Sequence, residues 1–126
     1  MAILNYHFVW RTKNQEPILV GDVKKRVREL LRTECEAQRI EPLDGGIIGT
    51  NYIHLILSCD TGHSPKTVAQ ALKGKSSRFL SLEFPRQIKP NLWEEGYLCL
   101  TFNVIDNEET NKRIADYIEF GFSRKL

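Results

Sequence analysis

The segment Tyr52–Ser58, YIHLILS, constrains the fold most tightly. Its alternate residues Ile53, Leu55 and Leu57 make one wholly aliphatic face, and Tyr52, His54, Ile56 and Ser58 make the other. The aliphatic face must be covered by helices, because apolar surface is driven out of water. A second strand is predicted over Ile3–Arg11, ILNYHFVWR, with Tyr6, Phe8 and Trp10 on one side and His7 and Val9 on the other.

The covering helices are legible too. Val23, Val27, Leu30, Leu31 and Cys35 recur at helical spacing, with Lys24, Arg28 and Arg32 on the wetter side. Asp22 is the expected N-cap, and the helix is expected to end near Arg39, ahead of Pro42. Leu43–Ile48 reads as a strand bent at Gly45 and Gly46, and Gly49–Thr50 as a tight link. Ser64–Pro65 opens a second helix whose buried side is Val68, Ala69 and Leu72; Gly74 is expected to weaken its middle before it resumes towards Leu82. A strand follows over Tyr97–Val104. A last helix is capped by Asp106 or Asn107, shows Ile114, Tyr117 and Ile118 on one face, and ends at Gly121. The order, close to β-α-β-β-α-β plus a helix, predicts an α+β ferredoxin-like sandwich. It has an antiparallel sheet of four to five strands with helices mainly on one face.

At 126 residues the chain is expected to form a single domain, residues 1–126. No run approaches eighteen apolar residues, so no membrane span is expected. The opening MAILNYHFVWRTKNQ has no basic region ahead of an apolar run, which argues against a signal peptide. Three widely spaced cysteines, Cys35, Cys59 and Cys99, form no CxxC pair and fit a reducing, cytoplasmic setting. The net charge of +2 permits a nucleic-acid partner without requiring one.

Three features bear on chemistry. His54 reads either as a half-buried histidine with a backbone partner or as a metal ligand or general acid/base, and no second histidine stands beside it in the sequence. His7 and His63 are weaker candidates. Tyr117 reads either as sheet packing or as a nucleophile, which would need help because a phenol is a weak acid. The run LKGKSSRF, Leu72–Phe79, offers Lys73, Lys75 and Arg78 to phosphates and Ser76 and Ser77 as shorter hydrogen-bonding groups, or else is simply a basic surface.

Taken in order, YHFVWRTKNQEPIL, GTNYIHLILSC, LKGKSSRFLSLEFP, LWEEGYLCLTFNV and IADYIEF resemble the small single-tyrosine transposases, the IS200-like or TnpA type of the HUH superfamily. The resemblance spans nearly the whole chain. It implies a homodimeric, ferredoxin-like transposase that nicks and rejoins single-stranded DNA at hairpin ends through a 5′-phosphotyrosine link. It also implies a divalent metal, Mg or Mn, held by two histidines separated by one hydrophobic residue and by a glutamine one turn after the tyrosine. Tyr117 falls on the nucleophile and His54 on the second histidine. Tyr52 stands where the first histidine is expected and Gly121 where the glutamine is expected, so the metal site is degenerate. Lys73, Lys75, Ser76, Ser77 and Arg78 fall on a DNA-contacting and helix-packing element. Two readings follow: a transposase, or a catalytically dead, transposase-derived protein that binds DNA hairpins and needs no metal.

Overall fold

A computed structural model describes residues 3–60, 62–101 and 108–122. The elements run β1 (Ile3–Arg11), α1 (Gly21–Ala37), β2 (Glu41–Pro42), β3 (Ile47–Ile48), β4 (Tyr52–Asp60), α2 (Pro65–Glu83), β5 (Leu98–Thr101) and α3 (Glu108–Phe120). The antiparallel sheet has the order β2-β4-β1-β5, with β3 also pairing with β4. This is the mixed α/β sandwich that the element order implied.

Strand alternation sorts the two sheet faces. Phe8 and Trp10 of β1 and Ile53 and Leu57 of β4 meet Val23, Val27, Leu31 and Cys35 of α1 and Val68, Ala69, Leu72 and Leu80 of α2. The opposite face carries a smaller cluster of Val9, Leu98, Ile114 and Tyr117, covered by α3. Two helices thus share one face and the third lies alone on the other.

Some boundaries move. The residue preceding α1 is Val20, which makes no side-chain cap, and Asp22 lies inside the first turn, where its charge favours the helix dipole. The helix stops at Ala37, and Arg39 turns the chain with φ 59°. Of the expected strand Leu43–Ile48 only Ile47–Ile48 is strand; a separate short strand, Glu41–Pro42, precedes it, and the chain turns between them at Gly45, with φ 103°. Ser64 does cap α2, accepting a bond from the Thr67 amide, with Pro65 following it.

The helix runs unbroken through Gly74. The cost of that glycine, about 1 kcal/mol, is met by packing on either side. Buried Ser76 donates to the Leu72 carbonyl and accepts from the Trp93 indole N–H, 3.0 Å away. The Lys73 ammonium donates to the carbonyls of Glu94 and Gly96. These bonds join the lysine–serine run to the tryptophan–glycine segment before β5. The expected cap at Asp106 or Asn107 and the far end of the Tyr97–Val104 strand lie outside the described residues.

Candidate active site

The α3 side of the sheet holds the chemistry. In the register of β1 against β4, Val9 lies opposite His54 and His7 opposite Ile56. The two imidazoles are therefore diagonal neighbours on one face. Nδ1 of His7 and Nε2 of His54 come to 3.0 Å, with ring centroids 5.2 Å apart. One ring donates and the other accepts; the choice of tautomer decides which. No second imidazole stands beside His54 in the sequence; one arrives from 47 residues away, from His7, which the sequence offered as a weaker candidate. Burial lowers the pKa of both rings, and for His54 burial, then the neighbouring His7, brings it down to about 4. Both are neutral near pH 7 and carry lone pairs suited to a metal.

Tyr117 lies over the same face. Its ring is buried in the cluster with Val9, Leu98 and Ile114 and stacks at a tilt 4.8 Å from Phe122. The hydroxyl is buried and has no hydrogen-bond partner among the described residues. Burial, with Glu94 adding to it and Arg11 opposing, pushes the phenol up to about 12. A crevice of about 90 Å³ lined by Arg113, Asp116 and Gly121 borders the ring.

Arg11, at the end of β1, holds α3 down. Its guanidinium lies 5.8 Å from the Tyr117 ring centroid. It makes a bidentate pair with Glu94 at 2.6 and 2.9 Å and reaches the carbonyls of Ile118 and Glu119 at 3.4 Å each. These are terminal carbonyls of the helix, where a cation is favoured. Gly121 has φ +67°, and a Cβ there would stand 2.9 Å from the Arg11 Cζ. Where the resemblance expects a glutamine, the chain gives the space to an arginine.

Tyr52 lies opposite Arg11 in the register, and its ring lies along Gly49, where an added Cβ would stand 2.7 Å from Cζ. The phenol thus occupies the β3–β4 turn. Of the basic run, Lys73 and Ser76 are committed to the contacts described above, and Lys75 pairs with the buried Glu34 carboxylate at 3.1 Å. Ser77 is half-buried and Arg78 exposed. His63 bridges Asp60 and the Gln38 carbonyl at 2.8 Å each, a loop-fastening role at the far end of β4.

Among the described residues no group of three or more His, Cys, Asp or Glu side chains gathers to hold a metal. His7 and His54 supply two nitrogens whose separation suits two adjacent donors on an ion with bonds of about 2.1 Å. No helix among the described residues is long and apolar enough to cross a membrane.

Known proteins resemble this chain along its length. The family described as "Transposase IS200 like" matches residues 1–120. The ISDra2 transposase TnpA of Deinococcus radiodurans is 31% identical over 121 residues, covering 92% of this chain and 82% of that protein. The transposase for insertion sequence element IS200 of Salmonella typhimurium is 26% identical over 114 residues, covering 90% and 74%. A crystal structure of a Deinococcus radiodurans R1 protein assigned as a transposase superposes with a TM-score of 0.84 at 30% identity, covering 98% of this chain and 95% of that one. A REP-associated tyrosine transposase bound to a REP hairpin shares the fold, with a TM-score of 0.64 at 13% identity over 91% of this chain and 64% of that one.

Proposed function

We infer the function from one premise: the chain belongs to the IS200-like, single-tyrosine transposase family of the HUH superfamily. It nicks and rejoins single-stranded DNA at hairpin ends. The observation that carries this reading is the convergence of His7 and His54 on the sheet face that also holds Tyr117.

His54 and His7 would hold a divalent ion such as Mg or Mn, His7 substituting for the histidine that Tyr52 replaces. The ion, when bound, polarises the scissile phosphate and offsets charge that develops there. Both ring nitrogens must then present lone pairs, so the proton shared between the rings moves to the outer nitrogen of its ring. The Tyr117 oxygen attacks phosphorus and loses its proton; the bond from phosphorus to the 3′ oxygen breaks, and that oxygen leaves as a hydroxyl. The 5′ phosphate stays on the tyrosine, and reversal with a new 3′ hydroxyl rejoins the strand. Attack requires Tyr117 to reach solvent, so α3 must first lift from the sheet and release the Arg11 contacts. Lys75, Ser77 and Arg78 on α2 remain candidates for phosphate contact, with Lys73 and Ser76 shaping that helix. A homodimer belongs to this reading, with β5 at one end of the sheet order.

The test is covalent capture. Incubated with a labelled hairpin-bearing single strand and Mn²⁺, the protein should form a protein–DNA adduct that chelator abolishes and that Tyr117→Phe cannot form. An adduct formed equally well by the Phe variant would remove Tyr117 from this role. A second reading draws on the enclosed Tyr117 hydroxyl and the substituted positions 52 and 121: the fold holds hairpins without cutting them. It expects salt-dependent binding and no adduct.

A further inference from the structure

The opposite side of the sheet carries a groove that this chemistry does not use. It lies between α1 and the β2–β3 segment and encloses about 260 Å³. Its walls are apolar, including Leu31, Leu43, Ile48 and Leu55, and Arg28, Arg32 and Asp44 also line it. Arg28 and Arg32 are one helical turn apart, so both guanidinium groups project from the same stripe of α1, in line with Lys24.

Both arginines are exposed and neither makes an ion pair among the described residues. Their neighbour Arg26 differs: it pairs with both Glu29 and Glu83. The helix therefore neutralises one arginine twice over and leaves two facing an apolar groove. Unpaired cations beside an apolar slot are complementary to a ligand that joins fixed negative charge to a flat apolar body. A nucleotide in a single strand has that composition. Asp44, at the same groove, can accept from the exocyclic amine of a base.

The groove is also placed to share a strand with the histidine site. Ile47 and Ile48 of β3 both line it, and Ile47 is also the register partner of His54. Only the thickness of the sheet at this short edge strand separates the groove from the histidine site. An unpaired strand passing over the β3 edge reaches both faces.

We propose that the groove between α1 and β2–β3 is a binding site for an unpaired nucleotide of the bound DNA. Arg28 and Arg32 take the backbone phosphates, and the apolar walls and Asp44 take an amine-bearing base. This rests on the DNA-processing reading, and the experiment separates the two.

The measurement is fluorescence anisotropy of a labelled oligodeoxycytidine across a salt series, using the full chain. Wild type should bind, and Arg28→Ala with Arg32→Ala should weaken binding about tenfold or more and flatten the salt dependence by about 1.4 in log–log slope, for two lost phosphate contacts at about 0.7 each. Arg26→Ala, which removes one charge from the adjacent stripe against the pair's two, should cost far less than half of the pair's loss in log affinity. Wild-type affinity should fall when oligothymidine, which lacks the exocyclic amine, replaces oligodeoxycytidine, and Asp44→Asn should shrink that preference. Circular dichroism of each variant checks that it folds. If wild type binds and the double variant keeps its affinity and slope, the groove is not the site. If Arg26→Ala costs half of the pair's loss or more, the effect is general charge and the site is overturned. If wild type binds no single strand at all, the DNA-processing reading fails and takes the groove with it.

Discussion

Gly121→Ala tests whether the close approach of Arg11 fixes α3. The new methyl group costs energy in two ways. An L-residue at φ +67° is in the left-handed region, at about 1–2 kcal/mol. The Cβ also occupies the guanidinium's position, 2.9 Å from Cζ, so Arg11 must withdraw from the helix-end carbonyls and distort its pair with Glu94. Loss of hydrogen bonds from a charged group adds about 1.5–3 kcal/mol. The expected total is about 2.5–5 kcal/mol, or a fall in melting temperature on the order of 10–20 °C for a chain of this size. Urea unfolding followed by circular dichroism measures it. The decisive comparison is a double-mutant cycle with Arg11→Ala. Without the guanidinium the methyl has room, and only the backbone cost of about 1–2 kcal/mol should remain. Additive effects, with the glycine substitution costing the same in both backgrounds, would refute the steric argument. Gly121→Gln, which places there the residue that the resemblance implies, should destabilise by a similar amount, because its Cβ meets the same arginine.

Three further outcomes follow from the site and its supports. Tyr117→Phe should be at least as stable as wild type, by roughly 0–2 kcal/mol in urea unfolding, since it removes a buried hydroxyl that has no partner among the described residues; a clear loss of stability would mean that the oxygen is bonded. His54 has its folded pKa lowered to about 4 from 6.5, so the unfolded chain binds more protons between those values and stability falls as pH drops from about 6.5 to about 4. The stability difference between wild type and His54→Gln should therefore shift against wild type over that window, and a difference independent of pH would contradict it. Ser76→Ala should cost about 1–2 kcal/mol and alter tryptophan emission, because Trp93 keeps only the Lys73 carbonyl at 3.1 Å; unchanged emission and stability would show that the serine is dispensable.

The sequence revealed local periodicity and missed long-range coincidence. Ile53, Leu55 and Leu57 alternate, so their face was legible, and Ser64–Pro65 carries its own capping chemistry. His7 and His54 are 47 positions apart, and only the β1–β4 register makes them neighbours. A histidine in each of two adjacent strands was the available signal, but without the register it has no direction. Gly74 was overweighted because propensity does not include the Trp93 bonds formed across 17 residues. The glycine at 121 was legible as a helix end. Its second use, as space for Arg11, depends on a side chain from the first strand.

Arg11 has two kinds of hold, and their strengths differ. The short bonds go to Glu94, and the long ones, at 3.4 Å, go to the end of α3. If the helix swings away, the guanidinium still has its carboxylate, so departure strands no bare charge in the protein. The electrostatic toll of exposing the tyrosine is thus confined to two stretched contacts, and what resists the movement is chiefly the oily underside of the helix against Val9 and Leu98.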